Sequence, residues 1–98
     1  MALPDPGKVA VIAERLKEQF TGREVLNTYD DVKSSEFYRI WVGTALQHRV
    51  YVSKEFFDDH TIEEIGAALR EWDVLATIQR AGARAVYLTN RGVEIAGS

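Results

Sequence analysis

Cysteine is absent from the sequence, and its absence removes several kinds of site at once. Disulfide bonds, cysteine-based zinc sites, iron–sulfur clusters and thiol nucleophiles all require this side chain. A chain without disulfides is typical of a reducing compartment, so we predict a cytoplasmic location.

Long apolar runs are also missing. No stretch of the sequence approaches the ~20 apolar residues that a membrane-spanning helix needs. Residues 1–6 have neither the basic region nor the apolar region of a signal peptide. We therefore expect neither export nor a membrane partner.

Glycine-rich loops do not occur, because the seven glycines are scattered singly along the chain. A phosphate-binding loop or a dinucleotide fingerprint needs closely spaced glycines, so we expect no nucleotide cofactor. Ser34, Ser35 and Ser53 all lie outside the glycine-flanked turn that a catalytic serine uses. We predict that the protein is not an enzyme and that it has no catalytic residues and no cofactor.

The negative charge is concentrated in one segment. Residues 55–73 hold seven acids and one base, whereas residues 74–98 hold three bases and one acid, and the whole chain carries −3. A general binder of polyanions usually has the opposite bias. The acidic block therefore favours a protein partner over nucleic acid.

The composition is that of an ordinary folded protein. In 98 residues, 46% are apolar and 28% are charged, which is enough for one hydrophobic core and too short for two independent ones. We predict a single domain over residues 1–98. A domain of this size buries a modest share of its surface, which favours a partner or a homodimer.

Two amphipathic helices are predicted from the hydrophobic spacing. An acidic N-cap before proline starts a helix over about 6–20. Thr61 with Glu64 fits a capping box, in which each side chain accepts a hydrogen bond from the other residue's backbone N–H. The second helix therefore begins there and runs toward Gly82, with a break near Asp73.

Alternation of apolar and polar residues predicts strands between and after the helices. The predicted strands are 24–29, 36–42, 46–53 and 84–89, with a short returning strand at 93–95. The α-β-β-β-α-β order indicates an α+β fold with a mostly antiparallel sheet and two helices packed on one face. The other face of the sheet is then free.

The phase of each element also predicts which side chains form the core. Tyr38, Ile40 and Val42 face the helices, together with the even-numbered residues of the third strand from Leu46 to Val52. We expect His48 to be half-buried and hydrogen-bonded rather than catalytic. The residues expected to share one core are Ile12, Leu16, Ile40, Val50, Ile65, Leu69 and Val86.

Aromatic and basic residues alternate on the opposite phase of the second and third strands. They are Phe37, Arg39, Trp41, Arg49 and Tyr51. Trp, Tyr and Arg are the preferred anchors of protein interfaces, but these residues can also cover a second small core. Stacking planes beside guanidinium groups also suit single-stranded nucleic acid. We place the protein interface first, internal packing second and nucleic acid third.

The acidic segment contains the one group that resembles a metal site. Asp58, Asp59 and His60 with Glu63 and Glu64 are the ligand types of a divalent metal. Acids in the first turn of a helix also complement its dipole, and a lone histidine is a weak metal signal. We therefore predict a structural role and no bound metal.

The segment Thr61–Ile65, followed by Gly82 and by the run from Arg84 to Gly92, resembles the end of a bacterial winged helix. That resemblance implies nucleic-acid binding, with Arg80, Arg84 and Arg91 meeting phosphate. The element order is also similar to that of double-stranded RNA-binding domains. In this sequence, however, Glu63 and Glu64 occupy the start of the second helix, where such domains carry lysines.

The preferred prediction is a small non-enzymatic module that docks to another protein as a regulator, inhibitor or accessory subunit. The alternative is a nucleic-acid-binding regulator of winged-helix or sheet-face type. The predicted partner-binding residues are Phe37, Arg39, Trp41, Arg49, Tyr51, Glu55, Asp58 and Asp59.

Overall fold

The computed structural model describes residues 3–97. The helices are α1 (Pro6–Gln19), α2 (Lys54–Asp59), α3 (Ile62–Glu71) and α4 (Val74–Ala81). The strands are β1 (Glu24–Asp30), β2 (Ser35–Val42), β3 (Ala45–Ser53), β4 (Ala85–Thr89) and β5 (Gly92–Ile95). The predicted α+β class and the order of the elements are confirmed, and the short returning strand is present as β5.

The five strands form one sheet in the order β1-β2-β3-β4-β5. Three neighbouring pairs are antiparallel, whereas β3 and β4 are parallel. A parallel pair needs a crossover connection, and α2, α3 and α4 supply it. The sheet is thus mostly antiparallel, as the sequence predicts.

The starts of the helices follow from their caps. The Asp5 carboxylate accepts from the backbone N–H of Gly7 at 3.1 Å and so starts α1. The predicted capping box is confirmed: the Glu64 carboxylate accepts from the N–H of Thr61 at 2.8 Å, and the Thr61 hydroxyl accepts from the N–H of Glu64 at 3.2 Å. Asp73 has a φ of 57° and separates α3 from α4, where a break is expected.

Helix α2 is an addition to the predicted elements. The Ser53 hydroxyl accepts from the N–H of Phe56 at 3.2 Å and caps this short helix. Phe56 and Phe57 are fully buried and enter the same core as the other helices. Helix α2 therefore fixes the chain just beyond the end of β3.

One hydrophobic core lies between the helices and the sheet. It includes all seven residues that the sequence assigns to it: Ile12, Leu16, Ile40, Val50, Ile65, Leu69 and Val86. His48 is 5% exposed and so more deeply buried than predicted, while its Nδ1 lies 2.9 Å from the carbonyl oxygen of Gly82, which confirms the predicted hydrogen bond. Across residues 3–97, no helix is long and apolar enough to cross a membrane.

One residue of the third strand does not follow the predicted alternation. The pairing of β2 with β3 shifts after Ile40, so that Leu46 lies opposite Trp41 instead of on the core side. A β-bulge adds one residue to one strand of a pair, and here the extra residue is Gln47. The assignment of Leu46 to the apolar side is therefore wrong.

Candidate functional site

The sheet face turned away from the helices carries most of the predicted partner-binding residues. In β2, Phe37, Arg39 and Trp41 alternate with core residues, and in β3 Tyr51 and Arg49 lie directly opposite Phe37 and Arg39. We call this side of the sheet the outer face. Its large aromatic, aliphatic and arginine side chains are Leu26, Phe37, Arg39, Trp41, Leu46, Arg49, Tyr51 and Tyr87, and Glu24 and Glu94 lie on the same face opposite Trp41 and Tyr87.

Three aromatic rings form a stacked row across the outer face. The rings of Phe37 and Tyr51 are 4.3 Å apart at 5°, and those of Tyr51 and Tyr87 are 5.2 Å apart at 12°. Cross-strand pairs of this kind stabilise a sheet. Because the rings stack on one another, much of their π-surface is already covered.

Lys33 lies over two of the three rings, those of Tyr51 and Tyr87. Its Nζ lies 4.6 Å from the centroid of the Tyr51 ring and donates a hydrogen bond to the Tyr87 hydroxyl at 3.1 Å. The hydrogen bond to Tyr87 raises the pKa of Lys33. This cation is thus held in place over the rings.

Two arginines face each other beside the row. Arg39 and Arg49 are direct cross-strand partners, and neither forms an ion pair with any of residues 3–97. The Arg39 guanidinium lies 5.6 Å from the centroid of the Phe37 ring. Like charges placed directly opposite one another destabilise a sheet. A negative group bound between or above the two guanidinium groups would therefore stabilise the pair.

Three polar atoms around this pair are shielded from solvent and lack a hydrogen-bond partner within the described chain. They are Arg39 Nε, Trp41 Nε1 and Gln47 Oε1. All three belong to β2 or β3, close to the bulge. A buried polar atom without a partner costs about 1–3 kcal/mol. Because these atoms have almost no accessible surface, a bound group reaches them only if the side chains around them move.

The predicted acidic residues lie at the end of the sheet, on α2. Asp58 pairs with Lys54 Nζ at 2.6 Å, and the Asp59 carboxylate accepts from the Asn90 amide at 2.6 Å. Glu55 and Asp58 line a polar cleft of about 650 Å³, where Lys33 also contributes. Lys33 lines this cleft and also lies over the rings of Tyr51 and Tyr87, so Glu55 and Asp58 lie at the edge of the outer face. Asp59 is hydrogen-bonded to Asn90 instead.

The acidic segment is used for structural contacts. His60 Nδ1 lies 2.8 Å from the carbonyl oxygen of Phe56, and the His60 ring stacks on the Phe56 ring at 4.4 Å. Glu64 belongs to the capping box. Among residues 3–97, no group of three or more histidine or acidic side chains is arranged to hold a metal ion.

The three arginines implied by the winged-helix resemblance are spread over α4 and the two ends of β4. Arg84 directly precedes β4 and Arg91 follows it, so the strand separates them. Arg80 donates to the Thr77 hydroxyl at 3.1 Å within α4. Strand β4 is paired on both sides, with β3 and with β5, whereas a protruding wing requires a hairpin that projects from the fold.

Sequence reasoning missed four side chains of this site, namely Leu26, Lys33, Leu46 and Tyr87. Alternation in β4 already separates Tyr87 from the core residues Val86 and Leu88. The signal that was missing is the strand order, since only the parallel pairing of β3 with β4 places Tyr87 beside Tyr51. Leu46 reaches the outer face through the bulge.

Comparison with known proteins gave no match to this chain among family models, curated proteins or solved structures. A functional assignment therefore depends on the chemistry of the outer face itself.

Proposed function

We propose that the protein is a non-enzymatic module that binds another protein through the outer face, as a regulator, inhibitor or accessory subunit in the cytoplasm. The observation that carries this proposal is the cross-strand pair of Arg39 and Arg49, which forms no ion pair with any of residues 3–97 and lies on a face that also presents aromatic and apolar side chains. A partner that neutralises this pair and packs on the neighbouring side chains gains binding free energy.

The chemistry of the face defines the partner. A carboxylate bridging Arg39 and Arg49 removes their mutual repulsion and forms charge-assisted hydrogen bonds. Apolar side chains of the partner would pack on Leu26, Trp41 and Leu46, because Leu26 is 42% exposed and the other two line the same face. The expected binding segment therefore carries an acidic residue flanked by apolar ones.

A second copy of the chain fits this face less well. Strand β3 is the central strand of the sheet, so the arginine pair lies near the middle of the outer face. Packing of two copies face to face about a two-fold axis there would bring both arginine pairs together. Glu24 and Glu94 lie on the two edge strands of this face, away from the arginine pair, so charge complementarity at its centre favours a different, acidic protein.

The aromatic row also favours a protein over nucleic acid. Bases stack on an aromatic ring only where the face of that ring is free. Here the rings of Phe37, Tyr51 and Tyr87 stack on one another, and Lys33 lies over two of them. The whole chain carries a net charge of −3, which adds to this preference.

The test compares variants of the outer face in parallel. The wild-type protein and a double variant, Arg39→Gln with Arg49→Gln, are used to capture proteins from host cells. A protein retained only by the wild type is then purified and titrated by calorimetry. We expect Trp41→Ala to weaken its binding by about 30-fold, which corresponds to ~2 kcal/mol for a buried anchor, with an almost unchanged melting temperature.

Two controls separate the alternatives. Arg70→Gln removes an exposed charge on α3 and should leave binding unchanged. Trp72→Ala removes a ring that packs on Phe56 in the core and should lower the melting temperature instead.

Three outcomes would contradict the proposal. If Trp41→Ala destabilises the fold as much as Trp72→Ala does, the outer face is internal packing. If the wild type binds a single-stranded oligonucleotide and the double arginine variant does not, the partner is nucleic acid. If the wild type dimerises at micromolar concentration and Trp41→Ala abolishes the dimer, the face binds a second copy.

A further inference from the structure

A second surface feature lies on the helix side of the sheet, between α1 and the β1–β2 pair. It is a groove of about 450 Å³. Apolar side chains of α1 and of the segment before it form much of its wall, among them Pro4, Val9, Ala10 and Ala13. Glu36 and Asn27 line the sheet side of the same groove.

Glu36 is unusually placed for a carboxylate. It is only 6% exposed, and no cation among residues 3–97 lies within salt-bridge distance of it. Its one hydrogen bond in the described chain comes from the Asn27 amide, with Nδ2 donating to Oε2 at 2.8 Å. A buried carboxylate without a cation carries a large desolvation cost, so this arrangement leaves a favourable position for a positive group.

The neighbouring groups do not supply that charge. The Tyr38 hydroxyl donates to the carbonyl oxygen of Val9 at 2.7 Å and is therefore not available to Glu36. Lys17, at the rim of the groove, lies 4.0 Å from Glu14. With Glu14 and Glu36 against Lys17, the charged lining has a net charge of −1, which suits one added cation.

The free polar atoms at the sheet side of the groove also define the type of cation. Because Asn27 donates its amide N–H to Glu36, the amide oxygen of Asn27 remains an acceptor. Oε1 of Glu36 is the carboxylate oxygen without a partner in the described chain. A guanidinium engages both carboxylate oxygens at once, whereas an ammonium is a compact charge with three donors. One free carboxylate oxygen and one amide oxygen suit the ammonium.

We propose that this groove binds a primary alkylammonium group on an unbranched chain. The ammonium donates to Glu36 and to the Asn27 amide oxygen, and the methylene groups lie along Val9, Ala10 and Ala13. This chemistry is shared by a free alkylamine and by a lysine side chain. The inference does not depend on the outer face, which lies on the other side of the sheet.

The experiment is an NMR titration of the ¹⁵N-labelled protein with two probes. The first is n-butylammonium and the second is the peptide N-acetyl-glycyl-lysyl-glycinamide, while n-butanol serves as the uncharged control. The side-chain amide of Asn27 and the backbone amides of Val9 and Ala10 report binding. We expect a dissociation constant on the order of millimolar for at least one charged probe, and at least tenfold weaker binding of n-butanol.

Two variants test the assignment, and one serves as a control. Glu36→Gln keeps the hydrogen bond to Asn27 but removes the charge, and it should weaken binding at least tenfold. Ala10→Leu fills the groove without touching Glu36 and should weaken binding to a similar degree, so the test holds even if Glu36→Gln folds poorly. Glu18→Gln removes an exposed carboxylate of α1 outside the groove and should bind like the wild type.

The two charged probes distinguish the source of the ammonium group. Tighter binding of n-butylammonium supports a free amine, and tighter binding of the peptide supports the lysine side chain of a partner protein. The proposal is overturned if neither probe shifts the Asn27 signal, if n-butanol binds equally well, or if both groove variants retain wild-type affinity. None of these results bears on the variants of Arg39, Arg49 and Trp41.

Discussion

At the level of single residues, Glu64 shows how one carboxylate starts a helix. Its hydrogen bond from the backbone N–H of Thr61 favours the ionised form, so the pKa of Glu64 lies below its ordinary value of 4.5. A group whose pKa is lowered by folding stabilises the fold at pH values above its unfolded-state pKa. That contribution is lost as the pH falls through the lowered pKa.

We therefore expect the capping box to open only under acid conditions. The Glu64 carboxyl carbon should titrate at a lower pH in the folded protein than in the urea-unfolded chain, and the Thr61 amide signal should shift with the same midpoint. NMR measures both. Thr61→Ala should cost about 1 kcal/mol of stability at neutral pH through the lost cap. Equal titration midpoints in the folded and unfolded chains would contradict the role assigned to Glu64.

At the level of elements, the period of the apolar residues predicts the helices and strands that follow it, and it misses the bulge in β3 and the short helix α2. Alternation, together with the turn residues between the runs, located all the strands within one residue, although only β2, β3 and β4 have a well-buried phase. The bulge at Gln47 adds a residue that no period-two pattern contains, so Leu46 was assigned to the wrong face. The six-residue α2 buries the adjacent Phe56 and Phe57, and adjacent apolar residues fit neither the strand period nor the helix period.

The break between α3 and α4 leads to a prediction about stability. Asp73 has a φ of 57° and its side chain makes no capping hydrogen bond. Left-handed backbone costs a residue with a Cβ roughly 1–2 kcal/mol, whereas glycine adopts it freely. Glycine also loosens the unfolded chain, which offsets about 0.4–1 kcal/mol of the gain. We expect Asp73→Gly to stabilise the fold by about 0.5 kcal/mol in urea unfolding.

Asp73→Ala is the matched comparison, because alanine removes the same carboxylate but keeps the Cβ. Its stability should lie about 1 kcal/mol below that of Asp73→Gly. Equal stabilities of the two variants would mean that the left-handed conformation of residue 73 carries no cost.

At the level of the whole molecule, the sequence predicts the face of each candidate residue better than it predicts its neighbours. The phase of Phe37, Arg39 and Trp41 follows from β2 alone. The stacked row needs Tyr87, and the position of Tyr87 depends on how β4 joins the sheet, which no local pattern encodes. The groove at Glu36 is harder still, since one acidic residue in a strand of mixed polarity gives no sign that α1 buries it.

The parallel pairing of β3 with β4 also determines how the chain can reach its folded state. Strands β1 to β3 are joined by short turns, so their contacts form early and locally, whereas β4 meets β3 only after the whole 54–84 segment has folded back. The β4–β5 hairpin should therefore add last. We expect Val86→Ala to accelerate unfolding while leaving the refolding rate almost unchanged, and Ile40→Val to slow refolding, both in stopped-flow urea jumps. The reverse pattern would place the hairpin in the folding nucleus.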